Sequence, residues 1–406
     1  MRIVVYEHVS GGGYAQQPIP TDVLSEGFAM LRCVVADFKA AGHQVAVLLD
    51  ARILKLNSPI EADSTIPIIY SNEPKKFLSN IAKKNDAVYV IAPETGQTLQ
   101  AFIELVQETG KTSLNSDPQA ISQVSDKSVL YESLRKKGFS IPKTITLNIT
   151  DSSTDIKQAI KRELKYPVII KPADGTGGSG ISLIKEETEI EKATNKIKTT
   201  STNTLFIAQE FVNGESASIS LLSNGNKALA ISLNKQNITL DNPDGDSSYN
   251  GGCIPYDHPL SPDACILAQK VVEAFSGLRG YVGVDVILSQ DKIVVVEVNP
   301  RLTTSYIGLR QVAGFNIAQA IVDAVIKKEL PTKIRDRGVA CFSKIQTSKP
   351  TIKAYQKTTK IALIAPPFPL SDSIDAYSIL MGYGDNVQDA SLRLEEAKKQ
   401  LLNIIC

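Results

Sequence analysis

The sequence predicts a multidomain protein of the α/β and α+β classes, in which a parallel α/β domain precedes a two-lobed α+β region and an extra C-terminal segment. The chain has 406 residues, more than one small hydrophobic core normally serves. Its first 115 residues alternate short apolar runs with helix-like stretches, which is typical of a parallel sheet covered by helices. From residue 205 the apolar runs are longer and indicate an antiparallel sheet.

Residues 1–115 are expected to form the parallel domain. Strand-like runs and amphipathic stretches alternate there, and Gly42 and Gly110 follow two of the helical stretches, as helix C-caps do. The predicted strands are 3–6, 45–49 and 87–91, and the predicted helices are 22–41 and 98–108. Because strands and helices alternate, successive strands should pair in parallel within one sheet.

Residues 116–204 are expected to form a small lobe. The turn-rich run Asn115-Ser116-Asp117-Pro118 marks its boundary. Two short helices follow, and Asp126-Lys127 opens the second. A helix at 153–164 then precedes a strand at 167–170, which runs into a glycine-rich loop. A polar surface helix with its linker is predicted at 186–203.

Residues 205–330 are expected to form a large lobe, and residues 331–406 a C-terminal extension. The apolar runs of the large lobe are LFIAQEFV, SASISLLS, ALAISLN, GYVGVDVIL and KIVVVEVNP. A polar loop at 241–252 and a helix at 262–276 interrupt them. The extension has a few strand-like runs and a charged helix near 388–404, and its sequence indicates no chemistry.

Composition and charge exclude several function classes. The net charge of +1 offers no broad basic surface to nucleic acid or to an anionic membrane. The N-terminal residues lack a secretory signal pattern, and no run reaches the ~18 apolar residues that a membrane span needs. The five cysteines form no Cys-x-x-Cys pair, so we expect neither structural zinc nor a redox motif. Buried, reduced thiols and a cytoplasmic location are the resulting expectation.

The stretch KPADGTGGSG at 171–180 places four glycines directly after a strand. Such a loop can lay main-chain N–H groups over phosphate oxygens, because no Cβ blocks the approach, and Lys171 adds a cation. The spacing is neither a Walker A motif nor a Rossmann fingerprint, since residues 181–184 have the pattern of a returning strand rather than a helix. The pattern favours a cover over a nucleoside triphosphate, and a glycine-rich surface hairpin is the alternative.

The stretch QEFVNGE at 209–215 ends an apolar strand with two acidic residues. Main chain near Phe211 and Val212 is suited to hydrogen-bond an adenine edge. Glu215 is suited to accept hydrogen bonds from ribose hydroxyls. A solvated glutamate on a hairpin explains the stretch equally well.

Asp285 lies within one apolar strand, and Glu297, Asn299 and Arg301 lie in and just after the next. Side chains alternate along a strand, so Glu297 and Asn299 share a face, and a neighbouring strand can bring Asp285 to them. Three hard oxygen ligands beside an arginine suit Mg²⁺ bound to a polyphosphate. The alternative is a polar surface ladder, which the apolar flanking residues disfavour.

These three patterns, in this order, resemble the ATP-grasp superfamily of carboxylate–amine ligases over residues 116–330, and the first domain more faintly resembles its pre-ATP-grasp domain. Four stretches, QEFVNGESASISL, ISLNKQ, GYVGVDVI and VEVNPRLTTS, resemble the tyramine–glutamate ligase family of methanofuran biosynthesis. The resemblance implies an ATP-grasp fold. It also implies ADP-forming amide synthesis through an acyl phosphate.

The resemblance further implies a role for each matching residue. The residues implied to bind ATP are Lys127, Lys171, Gly175, Gly177, Gly178, Glu210, Phe211, Val212 and Glu215. The residues implied to bind two Mg²⁺ or Mn²⁺ ions are Asp285, Glu297 and Asn299. Arg301 and Lys171 are implied to act on the transferred phosphoryl group.

Two places are candidates for substrate binding. Ser10, Gly11 and Gly12 follow the first strand, at the sheet edge where open α/β sheets bind ligands; a flexible turn is the alternative. Lys235 stands where the tyramine-type ligases are expected to carry arginine, and lysine lacks bidentate recognition of a carboxylate. Lys235 either neutralises a substrate or cofactor anion or is a solvated side chain.

The prediction is therefore a ligase that joins glutamate to an amine such as tyramine. Its expected partners are small-molecule substrates and a second copy in a homodimer, with no nucleic acid and no membrane. Two alternatives are a ligase that makes a different peptide-like metabolite and a non-catalytic ATP-binding regulator.

Overall fold

The computed structural model describes residues 1–70, 73–175, 177–201, 203–290, 292–332, 337–361, 363–371 and 373–405. The strands in these ranges form three sheets, which correspond to the parallel domain and the two lobes.

The N-terminal domain is a parallel sheet with helices around it, as predicted. Its strands are β1 (Arg2–Glu7), β2 (Gln44–Asp50), β3 (Ser64–Ile68), β4 (Ala87–Ile91) and β5 (Thr112–Ser113). They pair in parallel in the order β3-β2-β1-β4-β5. The helices are α1 (Thr21–Ala40), α2 (Ala51–Leu54), α3 (Pro74–Ala82) and α4 (Thr98–Glu108), with single turns at Val9–Gly13 and Thr95–Gln97. The edge strand β3 was not predicted, because Pro67 and polar residues interrupt its apolar pattern.

The small lobe is a four-stranded antiparallel sheet with helices, and it includes residues 205–210, so their predicted place in the large lobe is wrong. Its strands are β6 (Thr144–Asn148), β7 (Val168–Pro172), β8 (Ser182–Ile184) and β9 (Leu205–Glu210), in the order β6-β9-β7-β8. Its helices are α5 (Pro118–Ser125), α6 (Lys127–Lys136), α7 (Ser153–Glu163) and α8 (Ile190–Thr200), with a single turn at Glu187–Glu189. The Asp126 carboxylate accepts the Ser128 N–H at 2.8 Å and so caps α6. This cap makes Lys127 the first residue of the helix.

The large lobe is a seven-stranded antiparallel sheet. Its strands are β10 (Glu215–Asn224), β11 (Ala228–Thr239), β12 (Ser248–Ile254), β13 (Arg279–Leu288), β14 (Ile293–Asn299), β15 (Val339–Ser348) and β16 (Asp375–Gly384). Their order is β14-β13-β10-β11-β12-β15-β16. The helices are α9 (Ser261–Glu273), α10 (Tyr306–Val312), α11 (Ile317–Val322), α12 (Ile352–Thr358) and α13 (Val387–Ile405), with a single turn at Asp323–Lys327.

The two faces of this large sheet pack against different neighbours. On one face, Ala217, Ile219 and Val284 share a core with α9. On the other, Tyr281 and Phe342 share a core with α1 and the N-terminal sheet. We call this second face the inner face. The inner face also carries the predicted metal ligands Asp285, Glu297 and Asn299.

The predicted boundary at residue 330 falls inside one folded unit, because β15 of the C-terminal extension pairs with β12 of the large lobe. The predicted loop at 241–252 is wrong in its second half, since β12 begins at Ser248. The sequence of that strand is SYNGGCI, and its glycines and polar residues lack the apolar alternation that would predict a strand. The predicted charged C-terminal helix is confirmed as α13.

The expectation of reduced thiols is wrong for one pair, because Cys253 and Cys341 are joined by a disulfide bond. They are register partners on β12 and β15, with Cα atoms 4.1 Å apart and a separation of 88 positions in sequence. Sequence spacing alone therefore gives no sign of the pairing. Cys33 is a buried thiol, and Cys406 lies outside the described residues. In the described part of the chain, we find no helix with both the length and the apolar character of a membrane span.

Candidate active site

The three predicted metal ligands lie together at one edge of the inner face. Asp285 on β13 and Glu297 on β14 are register partners, and Asn299 is opposite Gly283 on the same pair of strands. Asn299 Nδ2 donates to Asp285 Oδ2 at 3.1 Å. The strand alternation predicted this shared face, and the antiparallel register confirms it.

The two carboxyl groups have opposite pKa shifts. Desolvation and the neighbouring Glu297 raise the pKa of Asp285 to about 7, although hydrogen bonds from Asn299 and Gln236 oppose the rise. Desolvation also acts to raise the pKa of Glu297, but the charges of Lys127 and Lys171 outweigh it, and the pKa of Glu297 is lowered. Glu297 therefore has the Lys127 ammonium beside it, and cations stabilise its charged form more than that of Asp285.

The two predicted phosphate-binding lysines reach this edge from the small lobe. Lys127 Nζ lies 2.9 Å from Glu297 Oε1 and donates to the Gly175 carbonyl at 2.6 Å. Lys171 is 4% exposed, and its Nζ donates to the Tyr131 hydroxyl at 3.3 Å. Desolvation and the charge of Lys127 lower the pKa of Lys171 to about 8. Two cations thus face two carboxylates across the junction of the lobes.

The donor set fits a hard divalent cation. It consists of two carboxylates and one amide oxygen, the ligand types that Mg²⁺ takes together with phosphate oxygens. Desolvation and the negative charge of Glu297 raise the pKa of Asp285, and a divalent cation beside the two carboxylates would oppose both effects. No cluster of three His, Cys, Asp or Glu side chains suited to a metal occurs among the described residues. An ion at this edge would therefore need ligands from its substrate as well as from the protein.

Replacing Asp285 with Asn should raise the melting temperature of the nucleotide-free protein, and more at pH 8 than at pH 5.5. The reference pKa of the group is 3.8 and its folded pKa is about 7, so the folded state holds the proton more tightly. The stability contributed by this group therefore falls as the pH rises between these values, and asparagine removes the effect. Differential scanning fluorimetry in EDTA at both pH values measures it. A variant that melts below the wild type at pH 8 would contradict the raised pKa of Asp285 in the folded protein.

Arg301 joins this edge to the N-terminal domain. Its Nε donates to Glu94 Oε2 at 3.0 Å, and Glu94, which follows β4, is 5% exposed. Desolvation acts to lower the pKa of Arg301, but Glu94 and the two site carboxylates raise it. The arginine therefore remains charged beside the predicted metal ligands. Sequence reasoning missed Glu94, although a carboxylate just beyond a buried parallel strand is a recognisable signal.

The glycine-rich loop connects β7 to β8, which pair in an antiparallel hairpin as predicted. Gly177 and Gly178 adopt φ values of +67° and +86°, in the left-handed region that favours glycine. A Cβ on Gly178 would lie 3.1 Å from the Ser247 carbonyl oxygen. The loop therefore passes close to the main chain that leads into β12, while a Cβ on Gly177 would meet no atom within 4 Å.

The predicted adenine-binding residues form the hinge between the lobes. Glu210 ends β9 of the small lobe, Glu215 begins β10 of the large lobe, and Phe211 and Val212 lie between them. Main-chain N–H groups of Glu210 and Phe211 bond to the carbonyl oxygens of Lys143 and Pro167, at 2.9 and 3.3 Å. These bonds fix the hinge backbone against the small lobe.

Lys235 and Glu215 lie on the outer face, away from Asp285. Lys235 is the register partner of Ala217, whereas Asp285 is the register partner of Ser218, and successive residues of a strand face opposite sides. The Lys235 ammonium lies 3.9 Å from Glu215, and the Tyr256 hydroxyl also donates to Glu215. The alternation that correctly placed Asp285, Glu297 and Asn299 on one face thus places Lys235 on the opposite face. Its neighbour Gln236 faces them instead, with Nε2 donating to Asp285 Oδ1 at 3.0 Å.

Neighbouring substitutions on β11 should therefore differ in their effects. Gln236→Met removes a donor from a desolvated carboxylate and should lower kcat/KM about tenfold. Lys235→Met removes only a half-exposed ion pair and should stay within about twofold of the wild type. Steady-state kinetics of the two variants measures the contrast. If Lys235→Met were the more damaging change, Lys235 would return as the substrate residue.

The predicted substrate loop at the end of β1 already has an internal acceptor. Ser10 donates its N–H to Glu7 at 2.7 Å and its hydroxyl at 2.6 Å. A Cβ on Gly11 would lie 2.8 Å from the Tyr6 ring, and a Cβ on Gly12 would lie 2.5 Å from Ile68. Because Glu7 takes the Ser10 donors and the glycines pack closely, we do not assign an anion to this loop.

Two family models match adjacent parts of the chain. Residues 124–305 match the ATP-grasp domain, and residues 43–121 match the pre ATP-grasp 3 domain. Together they cover more than half of the chain.

Two curated relatives and one solved structure are similar to most of the chain. The tyramine–L-glutamate ligase of Methanocaldococcus jannaschii is 25% identical over 342 residues, 82% of this chain and 92% of that protein. Its counterpart in Methanocaldococcus fervens is 28% identical over 343 residues, 82% of this chain and 98% of that protein. A solved structure, the biotin carboxylase domain dimer of Hydrogenobacter thermophilus 2-oxoglutarate carboxylase with MgADP, ADP and bicarbonate, has a TM-score of 0.72 and 14% identity. The structural match covers 98% of this chain and 89% of the Hydrogenobacter chain. This last likeness concerns the fold.

Proposed function

The chain belongs to the ATP-grasp superfamily, and from this premise we propose that it joins a glutamate carboxylate to an amine such as tyramine, forming ADP. Its relatives support an ADP-forming carbon–nitrogen ligase that uses ATP with a divalent metal. The choice of glutamate and tyramine rests on the names of the two archaeal relatives. We also propose a methanofuran-type cofactor pathway for this reaction, as the sequence resemblance implies.

One observation carries the proposal: Lys127 of the small lobe pairs with Glu297 of the large lobe, Lys171 lies within electrostatic reach of Glu297 and Asp285, and an arginine held by the N-terminal domain lies beside them. The closest of these contacts are Lys127 to Glu297 at 2.9 Å and Arg301 to Glu94 at 3.0 Å. A polyphosphate with its metal carries both signs of charge, so this arrangement complements it from all three domains.

The chemistry asks the protein for position and charge rather than for a nucleophilic side chain. The substrate carboxylate attacks the γ-phosphorus of ATP and releases ADP, and the resulting acyl phosphate loses phosphate when the amine attacks its carbonyl carbon. Lys171 and Lys127 neutralise the phosphate oxygens, and Arg301 holds the transferred group beside the substrate. The glycine-rich loop covers the phosphates with main-chain N–H groups.

Asp285, Glu297 and Asn299 are the residues that would hold two divalent ions. When bound, the ions would neutralise charge on the β- and γ-phosphate oxygens and orient them. Lys127 pairs with Glu297 at 2.9 Å, and in the proposed mechanism it would exchange this carboxylate for phosphate oxygens when the nucleotide binds. We further propose a homodimer, in line with the dimer of the Hydrogenobacter structure, and light scattering tests it.

The test measures ADP release by the full chain with Mg²⁺·ATP and L-glutamate, against a panel of amines that includes tyramine. We expect ADP release that depends on both glutamate and one amine, with the matching amide identified by mass spectrometry. Amine-dependent release with a different carboxylate would change the substrate and keep the ligase. ATP binding without release on any substrate pair would overturn the proposal in favour of a non-catalytic regulator.

A further inference from the structure

A second charged cluster lies on the inner face, where the C-terminal extension meets the N-terminal domain. Lys344 of β15 and Glu26 of α1 form an ion pair of 2.7 Å, and their side chains are only 12% and 18% exposed. The Thr304 hydroxyl donates to Glu26 at 3.1 Å. We call Glu26, Thr304, Lys344 and Tyr249 of β12 the head-group cluster.

This cluster is continuous with the metal-binding edge. Thr304 follows Arg301 by three positions, and the hydroxyl of its neighbour Ser305 lies 3.4 Å from that of Ser218, the register partner of Asp285. Desolvation is the largest cause of the raised pKa of Tyr249. The negative charges of Glu26 and Asp285 raise this pKa further. Tyr249 therefore lies within electrostatic reach of both groups. One polar strip thus runs from the metal ligands to the head-group cluster.

The walls of the strip have opposite charge at this end. Helix α1 contributes Glu26 and, one turn earlier, Asp22, and both carboxylates raise the pKa of Lys344 against its desolvation. Strand β15 contributes the cation. A ligand lying between them would meet negative charge on the side of α1 and positive charge on the side of β15.

We propose that the head-group cluster binds the amino-acid substrate, with its ammonium group at Glu26 and its non-reacting carboxylate at Lys344. This inference rests on the proposed function. An amino-acid zwitterion carries the same two charges in the same order, so it can insert into the ion pair and leave neither protein group unpaired. Each new contact joins opposite charges in a partly buried setting, where removing one partner is costly. The C-terminal extension then has a function, since β15 brings Lys344 to the substrate.

The experiment compares L-glutamate with glutarate, which lacks the amino group, as substrates of the full chain with Mg²⁺·ATP and tyramine. The wild type should prefer L-glutamate by at least about tenfold in kcat/KM, because only glutamate meets Glu26 with an ammonium group. Glu26→Gln should remove most of this preference and leave the KM for ATP unchanged. Lys344→Met should raise the KM for L-glutamate at least about tenfold. A Glu26→Gln enzyme that keeps the wild-type preference overturns the proposal.

A charge-reversed pair separates recognition from a purely structural bridge between the domains. The double variant E26K/K344E rebuilds the ion pair with inverted polarity, so a structural bridge would survive and substrate recognition would fail. We expect near-wild-type melting with loss of glutamate use. Retained glutamate use in this variant would overturn the proposal. Asp37→Asn is the matched control, because it weakens another partly buried bridge, Asp37 to Arg310 at 2.5 Å, without touching the cluster.

The outcomes also separate this proposal from the proposed function. If the wild type releases no glutamate-dependent ADP, glutamate is not the substrate, and the same comparison is made with aspartate and succinate and with 2-aminoadipate and adipate. A preference that collapses in Glu26→Gln for one of these pairs supports the head-group cluster with a different amino acid. A wild type that uses no amino acid, or prefers none over its des-amino analogue, overturns it.

Discussion

Asp285→Asn and Glu297→Gln should each lower ATP-dependent amide formation by about a thousandfold while the protein stays folded. The two carboxylates are register partners at one sheet edge, and Asn299 and Gln236 both donate to Asp285. Each substitution keeps the shape of the side chain and removes one negative charge. The remaining amide and carboxylate are a poorer set for a hard divalent ion. Turnover at varied Mg²⁺ measures the loss, and excess Mg²⁺ should recover only part of it.

The control for this prediction is Asp263→Asn, an exposed aspartate of α9 in the same lobe, which should behave as the wild type. Circular dichroism and melting curves show that the site variants are folded, and Asp285→Asn should even melt higher without metal. Full turnover by either folded site variant would contradict the metal assignment and the mechanism built on it.

Lys171→Met should lower kcat/KM for ATP about a hundredfold, because a desolvated ammonium beside a phosphate stabilises the bound nucleotide and the transition state more than an exposed one does. Lys171 is 4% exposed, and its pKa is lowered to about 8 by desolvation and by Lys127. The wild-type KM for ATP should therefore rise above pH 8, since the free enzyme loses the proton that phosphate binding requires. That rise should be absent in Lys171→Met.

Lys161→Met, an exposed lysine of α7 in the same lobe, is the matched control and should leave both values unchanged. Unaltered ATP kinetics in Lys171→Met would remove this lysine from the phosphate site. An alkaline rise in KM that persists in the variant would assign the titration to another group.

The sequence could predict that Asp285, Glu297 and Asn299 lie on one face, because one rule of strand geometry was enough. Side chains two positions apart on a strand share a face, so Glu297 and Asn299 had to project together, and Asp285 needed only a neighbouring strand. The glycine loop followed from a similar local argument. Its returning strand, β8, is present, and positive φ values at Gly177 and Gly178 show why glycine is required.

The rest depends on register and on distant parts of the chain. Whether Lys235 or Gln236 faces the site depends on a single step of register, which one sequence does not reveal. The Glu26–Lys344 pair and the Cys253–Cys341 bond join residues 318 and 88 positions apart. Strand β12 has no apolar alternation from which it could be predicted. Its polar, glycine-containing run lies in the sheet because its main chain pairs with β11 and β15.

In the proposed mechanism, Asp285 and Glu297 hold divalent ions on the nucleotide's polyphosphate beneath the glycine-rich loop. A crystal structure with a non-hydrolysable ATP analogue and Mn²⁺, measured at the manganese absorption edge, tests this arrangement. We expect two anomalous peaks within about 2.2 Å of oxygens from both carboxylates and from the phosphates, with Lys127 moved from Glu297 to the nucleotide. Peaks located elsewhere, with Glu297 still paired to Lys127, would contradict it.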